Sequence, residues 1–570
     1  MTMTTKPGPY LSASVTLSAL CLLAGCGGGY SAPPPTMNNP VPTITSLSPN
    51  SAVAGAAPFT ITVSGTNFLS SSAVQWNASA RPTMYISSTQ LQAQISAADV
   101  AAAASVNVTV SNPAPGGGTS SSAPFSLYAA GITQTISVGA NSAAANANSH
   151  QPVLSFNGRF VAFGSEATNL ISPSTMFAEG YLRDTCLGAS GCTPSTLLVS
   201  AITGTSTEGN ALGGAGSSIS RNGRLVGFSS TATNLVVPNT KFPQYYLRDT
   251  CAGAPAGCVP ITVLASVTQN GLEPTGGASD SMLASNNCSV AFVSSAKDVV
   301  SGVTIANEIY LSSCSVNNLA SGFSNAMLVS ANNAGIPADL GAQEPAISDD
   351  GRFVAFTSTS TNLPGAPGGG LGAQNVYVHD TCTGATSCSP STVMVSVDSA
   401  GNPMPGNSQL PAISDDGRFI VFSTQTPAPG GGLTSTVWLR DTCNASGGPV
   451  TSCVASTTSI SVSSSGALTI GPSNSGRHAV SGDGRFVVFD SSATNLVAPP
   501  TSGNQVFVRD TCISSAGAVT GCTPKTVLIS VDSKGNATGG TGAAISGDGH
   551  FVAFENETAI FQIFLAATGF

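Results

Sequence analysis

The side chains of this 570-residue chain that could do chemistry are few, and most of them recur at fixed places in a repeat. Only 8% of the residues are charged, and the four histidines, His150, His379, His478 and His550, are far apart in the sequence. Two of them occupy positions that hold arginine in other repeats. The sequence contains no Gly-x-Ser-x-Gly nucleophile motif, phosphate-binding loop or Asp-rich calcium loop. We therefore expect no catalytic residue, no cofactor and no metal site.

Arginine and aspartate recur at two fixed positions of the repeat. In five copies an arginine follows a turn glycine at the start of one strand, and an aspartate ends the strand after it. Antiparallel pairing would place the two side chains at the same rim, where each pair should contribute about 0.2–1 kcal/mol. The predicted ion pairs are Arg159–Asp184, Arg224–Asp249, Arg352–Asp380, Arg418–Asp441 and Arg485–Asp510. The two copies with Cys288 or His550 in place of the arginine also lack the aspartate, which supports a structural role for the pairs.

Twelve of the fourteen cysteines fall into pairs by position. Five pairs follow the recurring aspartate and flank a short loop, and the sixth replaces an ion pair in the third copy. The predicted disulfides are Cys186–Cys192, Cys251–Cys258, Cys288–Cys314, Cys382–Cys388, Cys443–Cys453 and Cys512–Cys522. Metal-binding thiols are the alternative, but the pairs are distant in sequence and lack the second pair or histidine of a tetrahedral site. Disulfides require an oxidising compartment, and hence export.

These residues belong to a unit that occurs seven times in the last three quarters of the chain. The residue after the turn glycine marks each copy, and the markers recur every 64–67 residues. They are Arg159, Arg224, Cys288, Arg352, Arg418, Arg485 and His550. Each copy contains four short apolar segments separated by turns, which predicts a four-stranded propeller blade.

The ends of the repeat region predict how it closes. The seventh copy stops after its third strand, whereas residues 131–141 match the fourth strand of the other copies. Pairing the two would close the ring and remove two open sheet edges. The predicted fold class is therefore all-β: an Ig-like β-sandwich followed by a seven-bladed β-propeller, residues 131–570, closed by an N-terminal strand. An open solenoid and two half-rings are the alternatives.

The repeat text, such as SDDGRFVAF at 348–356 and NVYVHD at 375–380, resembles the TolB-like (WD40-like) propellers of periplasmic and exported bacterial proteins. Those repeats share a Ser-Pro-Asp-Gly start and a third strand that ends in aspartate. This chain departs from them in its Ser-Asp-Asp text, its longer repeat and its cysteine loops. The resemblance implies the propeller fold and export, and it does not extend to the function of the Tol-system protein.

The N-terminus has the pattern of an export signal. Residues 1–25 contain Lys6 followed by an apolar run too short to span a bilayer, which predicts a signal peptide. The sequence Leu23-Ala24-Gly25-Cys26 resembles the bacterial lipobox, which implies lipidation of Cys26. With glycine at the next position, the resemblance implies an outer-membrane lipoprotein facing the periplasm or the cell surface; a plain signal peptide is the alternative. Residues 26–41 are rich in Gly and Pro, which predicts a flexible tether.

Residues 42–128 have the alternating strands and regular turns of an Ig-like sandwich. The segment resembles the IPT/TIG family in ITSLSP at 44–49, in GTNF at 65–68, and in the strand at 106–112 that precedes a Gly-rich turn. In that family such domains are spacers or interaction modules. The resemblance implies no catalytic residue.

Composition narrows the function. The net charge of −9 and the lack of a Lys/Arg cluster argue against nucleic acid as a partner. We expect a monomeric, lipid-anchored envelope protein whose propeller is a non-enzymatic binding scaffold for a protein or a glycan. The alternative is a propeller enzyme, a polysaccharide lyase or hydrolase, with its site in the central funnel. Three or more ionisable side chains converging in the funnel would favour the enzyme, whereas a lining of Ser, Ala and backbone would favour the scaffold.

Any ligand should contact the parts of the repeat that vary, which are its surface loops. These are the loops between second and third strands and the connections into the next first strand, both on the rim opposite the disulfides. The predicted ligand-facing residues are His150, Met176, Phe177, Phe242, Tyr245, Gln343, Glu344, Arg477 and His478.

Overall fold

The computed structural model describes residues 38–570 except 50, 55–57, 103, 129–130, 140–141, 190–191, 255–256, 287, 315–317, 367–372, 429–430, 533 and 558–559. The predicted signal peptide (1–25) and Cys26 lie outside the described residues, as does most of the predicted tether (26–41). None of the helices in the described part of the chain is long and apolar enough to cross a bilayer. Ala97–Val100 and Leu319–Ser321 form short 3-10 helices, and the regular structure is otherwise dominated by β-strands.

The first ten strands form an Ig-like sandwich of two sheets. They are β1 Thr43–Ser48, β2 Ser51–Val53, β3 Phe59–Thr66, β4 Ala73–Trp76, β5 Ser79–Ala80, β6 Thr83–Ser87, β7 Gln90–Ile95, β8 Ala104–Asn112, β9 Gly118–Thr119 and β10 Ala123–Tyr128. One sheet has the order β1-β3-β7-β6, and the other has β2-β10-β8-β4-β5 with β9 against β8.

The period of two along these strands explains the core of the sandwich. In β3, Ile61 and Val63 are buried, whereas Thr62 between them points to the other face and is only half-buried. The inward side chains pack with Trp76 and Phe125, whose ring centroids are 4.8 Å apart. The expected Ig-like sandwich is therefore present.

The other long strands form seven four-stranded antiparallel sheets, which we call repeat sheets 1–7 in chain order. Strand β11 is Gly131–Thr135. Sheets 1 to 3 comprise β12 Ser149–Leu154, β13 Phe160–Ser165, β14 Glu179–Asp184 and β15 Ser195–Leu198; β16 Gly213–Ile219, β17 Leu225–Ser230, β18 Gln244–Asp249 and β19 Ile261–Leu264; and β20 Ser279–Leu283, β21 Ser289–Ser294, β22 Glu308–Ser313 and β23 Ser324–Leu328. In sheets 1 to 3 the strands pair in sequence order.

Sheets 4 to 7 follow the same plan. Sheets 4 and 5 comprise β24 Gln343–Ile347, β25 Phe353–Ser358, β26 Asn375–Asp380 and β27 Ser391–Met394; and β28 Asn407–Ile413, β29 Phe419–Pro427, β30 Leu433–Asp441 and β33 Ser456–Ser459, with the hairpin β31 Asn444–Ala445 and β32 Gly448–Pro449. Sheets 6 and 7 comprise β34 Ser473–Asn474, β35 Phe486–Ser491, β36 Gln505–Asp510 and β39 Lys525–Leu528, with the hairpin β37 Ile513–Ser514 and β38 Gly517–Ala518; and β40 Thr541–Ile545, β41 Phe551–Glu557 and β42 Phe561–Ala567.

The second strand of each repeat sheet is covered on both faces, which explains its continuous run of apolar residues. All six residues of β25 are buried, for example. Aromatic residues of the second and third strands pair directly across the sheet. The ring centroids lie 5.6–5.9 Å apart in Phe163–Tyr181, Phe228–Tyr246, Phe292–Tyr310, Phe356–Tyr377 and Phe489–Phe507.

The glycine of the turn between first and second strands sets how closely neighbouring sheets pack. Gly158 has φ +72°, and a Cβ atom there would lie 2.8 Å from the ring of Phe551 in sheet 7. Gly549 has φ +77° and faces Phe486 of sheet 6 in the same way. Only glycine has both the conformation and the space that these turns require.

Backbone hydrogen bonds join the residues that follow the seven first strands. The bonds, at 2.8–3.1 Å, run from Phe156 N to Arg221 O, Arg221 N to Ser285 O, Asn286 N to Asp349 O, Asp349 N to Asp415 O, Asp415 N to Gly482 O, Gly482 N to Gly547 O and Asp548 N to Phe156 O. Each bond connects one repeat sheet to the next, and the last bond connects sheet 7 to sheet 1.

Strand β11 supplies the fourth strand of sheet 7. It pairs antiparallel with β42, with Gly131 opposite Ala567 and Thr135 opposite Phe564. The pairing continues past the strand, because Ile136 N donates to Ile563 O at 2.8 Å. The strand partners predicted for the two ends of the repeat region are therefore adjacent.

Candidate functional site

The repeat sheets have two opposite ends. The disulfide face is the end that carries the turns between first and second strands and the six cystines. The loop face is the opposite end, with the loops between second and third strands and the connections into the next first strand.

The five predicted ion pairs are formed on the disulfide face, each through two hydrogen bonds of 2.5–2.9 Å. In each pair the aspartate also accepts a bond from the backbone N of the following cysteine, as Asp441 does from Cys443 at 2.9 Å. The Arg418 guanidinium lies 4.6 Å from the ring centroid of Phe419. The charges of these arginines and aspartates therefore stabilise the contact between two strands and the cysteine loop.

The six predicted cysteine pairs lie at disulfide-bonding distance, with Cα atoms 5.2–5.8 Å apart. In sheet 3, Cys288 takes the place of the arginine and Cys314 lies one residue after the place of the aspartate, with Cys314 N donating to Cys288 O at 2.8 Å. The disulfide predictions are confirmed. Because the sulfurs are consumed in disulfides, the Asp–Cys–Cys groups on this face offer no thiolate to a metal.

A second set of basic residues is also structural. Arg248 is buried in the third strand of sheet 2, where it donates to Thr262 Oγ1 at 2.7 Å and to Ala201 O of sheet 1 at 3.1 Å. Burial lowers the pKa of Arg248 to about 10. His379 has the equivalent place in sheet 4, and burial lowers its pKa to about 4, so it is neutral at pH 7 and unsuited to bind an anion.

Residues in or next to the first strands of all seven repeat sheets line a central space, which we call the channel. Its disulfide-face end is closed by Arg221. This side chain starts in sheet 2 and reaches Asp349 of sheet 4 at 3.4 Å and Asp415 of sheet 5 at 2.6 Å. Its guanidinium lies 3.5 Å from the ring centroid of Phe156 in sheet 1. Burial and the charge of Asp349 raise the pKa of Asp415 to about 6. Residues of four sheets, including Ser285 of sheet 3 bound to Asp349, thus meet around one cation.

The loop-face end of the channel is closed by Arg477. This residue belongs to sheet 6 and forms an ion pair with Asp280 of sheet 3, on the other side of the channel. Asp280 also accepts from the backbone N of Glu344 at 2.9 Å, and Glu344 accepts from Leu410 N at 2.9 Å. Asp280, Glu344 and Leu410 lie at bulges in first strands, with φ of +50° to +55°. In Glu344 and Leu410 this conformation turns the N–H group toward the preceding sheet.

Between these two ends the free space is small. The cavity measures about 90 Å³ and is lined by apolar side chains that include Leu154, Ile219, Met282, Ile347 and Ile413. Five ionisable residues line it as well, which meets the condition stated above for the enzyme. They are Arg221, Asp349, Asp415, Arg477 and His478. However, the volume is below the roughly 300 Å³ at which ligand pockets usually begin, and both arginines are bound to carboxylates.

The predicted ligand-facing residues are divided between surface and core. Met176 is 78% exposed and Phe242 is 37% exposed, whereas Phe177 is half-buried. Tyr245 is completely buried in the core between sheets 2 and 3, so the expectation that it faces a ligand is wrong. It lies at the first apolar position of β18, which points inward, and the sequence expectation assigned it to the preceding loop.

The other predicted residues lie around the loop-face end of the channel. Gln343 is exposed, and Glu344, Arg477 and His478 are half-buried. His150 lies farther out, where its Nδ1 is 3.5 Å from Glu555 Oε2. The predicted set therefore comprises two separate groups rather than one site.

Sequence reasoning missed two kinds of cavity. An open cavity of about 1310 Å³ lies on the disulfide face and is bordered by Arg159, Arg224, Asp249 and residues 47–49 of the Ig-like sandwich. On the loop face, cavities of about 490 and 450 Å³ lie beside Glu179 and Gln505. The doubled glycines at 213–214 and 539–540 leave this space, and they are the signal in the sequence that could have found these two cavities.

Comparison with solved structures found remote similarities. An oligogalacturonate lyase from Vibrio parahaemolyticus is 11% identical, with 77% of this chain and 98% of that chain covered and a TM-score of 0.39. An auxiliary nutrient binding protein from Bacteroides thetaiotaomicron is 9% identical over 93% and 98% of the two chains, with a TM-score of 0.30. Prolyl oligopeptidase B from Galerina marginata is 9% identical over 79% and 51%, with a TM-score of 0.37.

Comparison by sequence identified one domain. No curated protein matched the chain. The family model described as the IPT/TIG domain matches residues 42–127, which are the residues of the N-terminal sandwich. Residues 42–127 therefore form an IPT/TIG domain.

Proposed function

We propose that the protein is an exported envelope protein in which the seven repeat sheets form a closed, seven-bladed, TolB-like propeller. The backbone hydrogen bonds that run from sheet to sheet and return from Asp548 to Phe156 support the closure. The pairing of β11 with β42 supports the count of seven blades, because it completes the only incomplete repeat among the described residues.

Six disulfides indicate an extracellular or envelope environment. We propose that lipidation of Cys26 holds the protein at the outer membrane, facing the periplasm or the cell surface, with the IPT/TIG domain as a spacer. The propeller is then displayed as a monomer at the end of a flexible tether.

The propeller acts as a non-enzymatic scaffold that binds a protein or a glycan. The observation that carries this proposal is the closure of both channel ends by Arg221 and Arg477, which leaves about 90 Å³ between them. A polymer cannot thread such a channel, so recognition falls to the rims. The loop face is the proposed rim because its loops vary between repeats, and Met176 and Phe242 are exposed apolar residues on it.

The test is capture of ligands by the full chain from envelope extracts and on a glycan array. The variant Met176→Ser with Phe242→Ser should reduce capture at least about tenfold, as expected for loss of apolar anchors. The matched control, Val259→Ser with Val454→Ser, removes side chains of comparable exposure from the disulfide face and should leave capture unchanged. The loop-face proposal is refuted if the control variant loses capture instead.

A second candidate is the enzyme acting on polysaccharide. Asp349 and Asp415 favour it, because they share one cation and Asp415 has a raised pKa, as a general acid requires. Under this candidate a displaced Arg221 would open the end of the channel. Depolymerisation of an envelope polysaccharide that disappears in Asp415→Asn, with capture retained, would establish it in place of the scaffold.

A further inference from the structure

A separate cavity on the loop face carries an inference that does not depend on the scaffold function. It measures about 490 Å³ and lies where sheet 1 meets sheets 2 and 7. Its lining includes His150, Glu166, Glu179, Gly213, Gly214 and Glu555. Strand ends from three repeat sheets thus contribute three glutamates and one histidine to a single pocket.

Glu179 is the innermost of these residues, with 1% of its surface exposed. Its Oε2 accepts a hydrogen bond from Ser200, two residues after the fourth strand. Its Oε1 is buried and has no hydrogen-bond partner among the described residues. A buried carboxyl oxygen without a partner costs free energy unless a ligand supplies one.

The repeat itself shows what is missing at this position. Sheets 6 and 7 have Gln505 and Gln562 at the equivalent place, and each accepts a hydrogen bond from the serine two residues after the fourth strand. Their amide nitrogens donate to backbone carbonyls, as in the 2.8 Å bond from Gln505 Nε2 to Ser502 O. In Glu179 the corresponding Oε1 makes no such bond to a backbone carbonyl among the described residues, which leaves this position of the carboxyl group open to a ligand.

The charges around Glu179 are predominantly negative. Glu166 and Glu555 line the same cavity, and Glu555 binds the backbone N of Gln151 and faces His150. Burial and the nearby charge of Glu208 raise the pKa of Glu179 to about 8. The hydroxyl of Tyr181, on the same strand, also feels the charges of Glu179 and Glu208. With no arginine or lysine lining the pocket, only His150 can offset these carboxylates.

We propose that this cavity binds an aliphatic ammonium group, with Glu179 Oε1 as its buried acceptor and Glu166 and Glu555 at its mouth. The ammonium can belong to an amino sugar or to an amino acid side chain. A metal ion suits the pocket less, because in the described part of the chain only the Asp–Cys–Cys groups bring three ligand atoms within 4.8 Å of one another. Binding transfers the proton of Glu179 to solvent and leaves a carboxylate paired with the ammonium.

The test is isothermal titration of the full chain with glucosamine and with Nα-acetyllysine amide, between about pH 5.5 and 7, below the pKa of about 8 of Glu179. Because each binding event releases one proton, the affinity should rise about tenfold per pH unit. Binding of glucosamine alone identifies an amino sugar as the source, and binding of the lysine derivative alone identifies an amino acid.

Glu179→Gln should weaken binding at least about tenfold, since a charge-assisted bond is lost. Glu308→Gln is the matched control, because Glu308 is equally buried, binds Ser330 in the same way and has a pKa raised to about 8, but does not line this cavity. The proposal is overturned if neither amine binds up to about 10 mM, if N-acetylglucosamine binds as well as glucosamine, or if Glu179→Gln binds normally. None of these outcomes depends on envelope capture, so failure here is distinct from failure of the scaffold.

Discussion

The two buried glutamates predict that the repeat domain loses stability as the pH rises through neutrality. Burial raises the pKa of Glu179 and Glu308 from the ordinary 4.5 to about 8 in the folded protein. The folded state therefore binds protons that the unfolded state has already released, and the stability this provides is complete below pH 4.5 and disappears as the pH rises through 8. The slope is about 1.4 kcal/mol per pH unit for each glutamate.

A window from pH 6.5 to 8 isolates this effect. Asp415 has a folded pKa of about 6, and His379 has a folded pKa of about 4 against an ordinary 6.5, so both titrate mainly below the window and alter the slope only near its lower end. As the pH rises across the window, the free energy of unfolding should fall by about 2 kcal/mol for each glutamate and by about 4 kcal/mol for the pair. Glutamine at both positions should remove the loss, because Gln244, Gln505 and Gln562 are already accommodated in other repeat sheets.

The assay is urea unfolding of the full chain at intervals across the window, followed by near-ultraviolet circular dichroism. Glu308→Gln should halve the slope of unfolding free energy against pH, and the double variant with Glu179→Gln should make it flat. A wild-type curve that is flat from pH 6.5 to 8, or a slope that survives in the double variant, would refute the reasoning.

The remaining predictions concern the ends of the chain. Deleting residues 1–142 should lower the melting temperature and promote aggregation relative to deleting 1–128, because it exposes the edge of β42 and removes the buried Ile136 and Val138, each of which contributes about 1.5–3 kcal/mol. Equal midpoints and equal monomer content in size-exclusion chromatography would contradict closure by β11. Cys26→Ser should release the protein from the membrane fraction, and unchanged fractionation in detergent would count against lipidation.

The sequence by itself determined the repeat and the recurring ion pairs and disulfides that join neighbouring strands within it. The Arg418–Asp441 pair and the Cys443–Cys453 disulfide join residues within one repeat sheet. Strand pairing brings these residues together, and that pairing is predicted by the turn residues and by the alternation of apolar and polar residues. The same reasoning applied to five copies of the repeat, so the exception at Cys288 and Cys314 could be interpreted from the loss of both charges at once. The IPT/TIG domain was recognisable because its motifs are local.

Only the tertiary structure decided what happens across the channel and between sheets. Arg477 meets Asp280 over a separation of 197 residues, and Arg221 meets Asp415 over 194. These pairs depend on how the seven repeat sheets are arranged in space, which no local pattern encodes. The same holds for Glu179, which lies at the start of a strand, where the sequence alone would predict an exposed polar side chain. Its burial, its unpartnered oxygen and the cavity beside it arise from the neighbouring sheets, because desolvation is a property of the whole surroundings of a group rather than of its place in the chain.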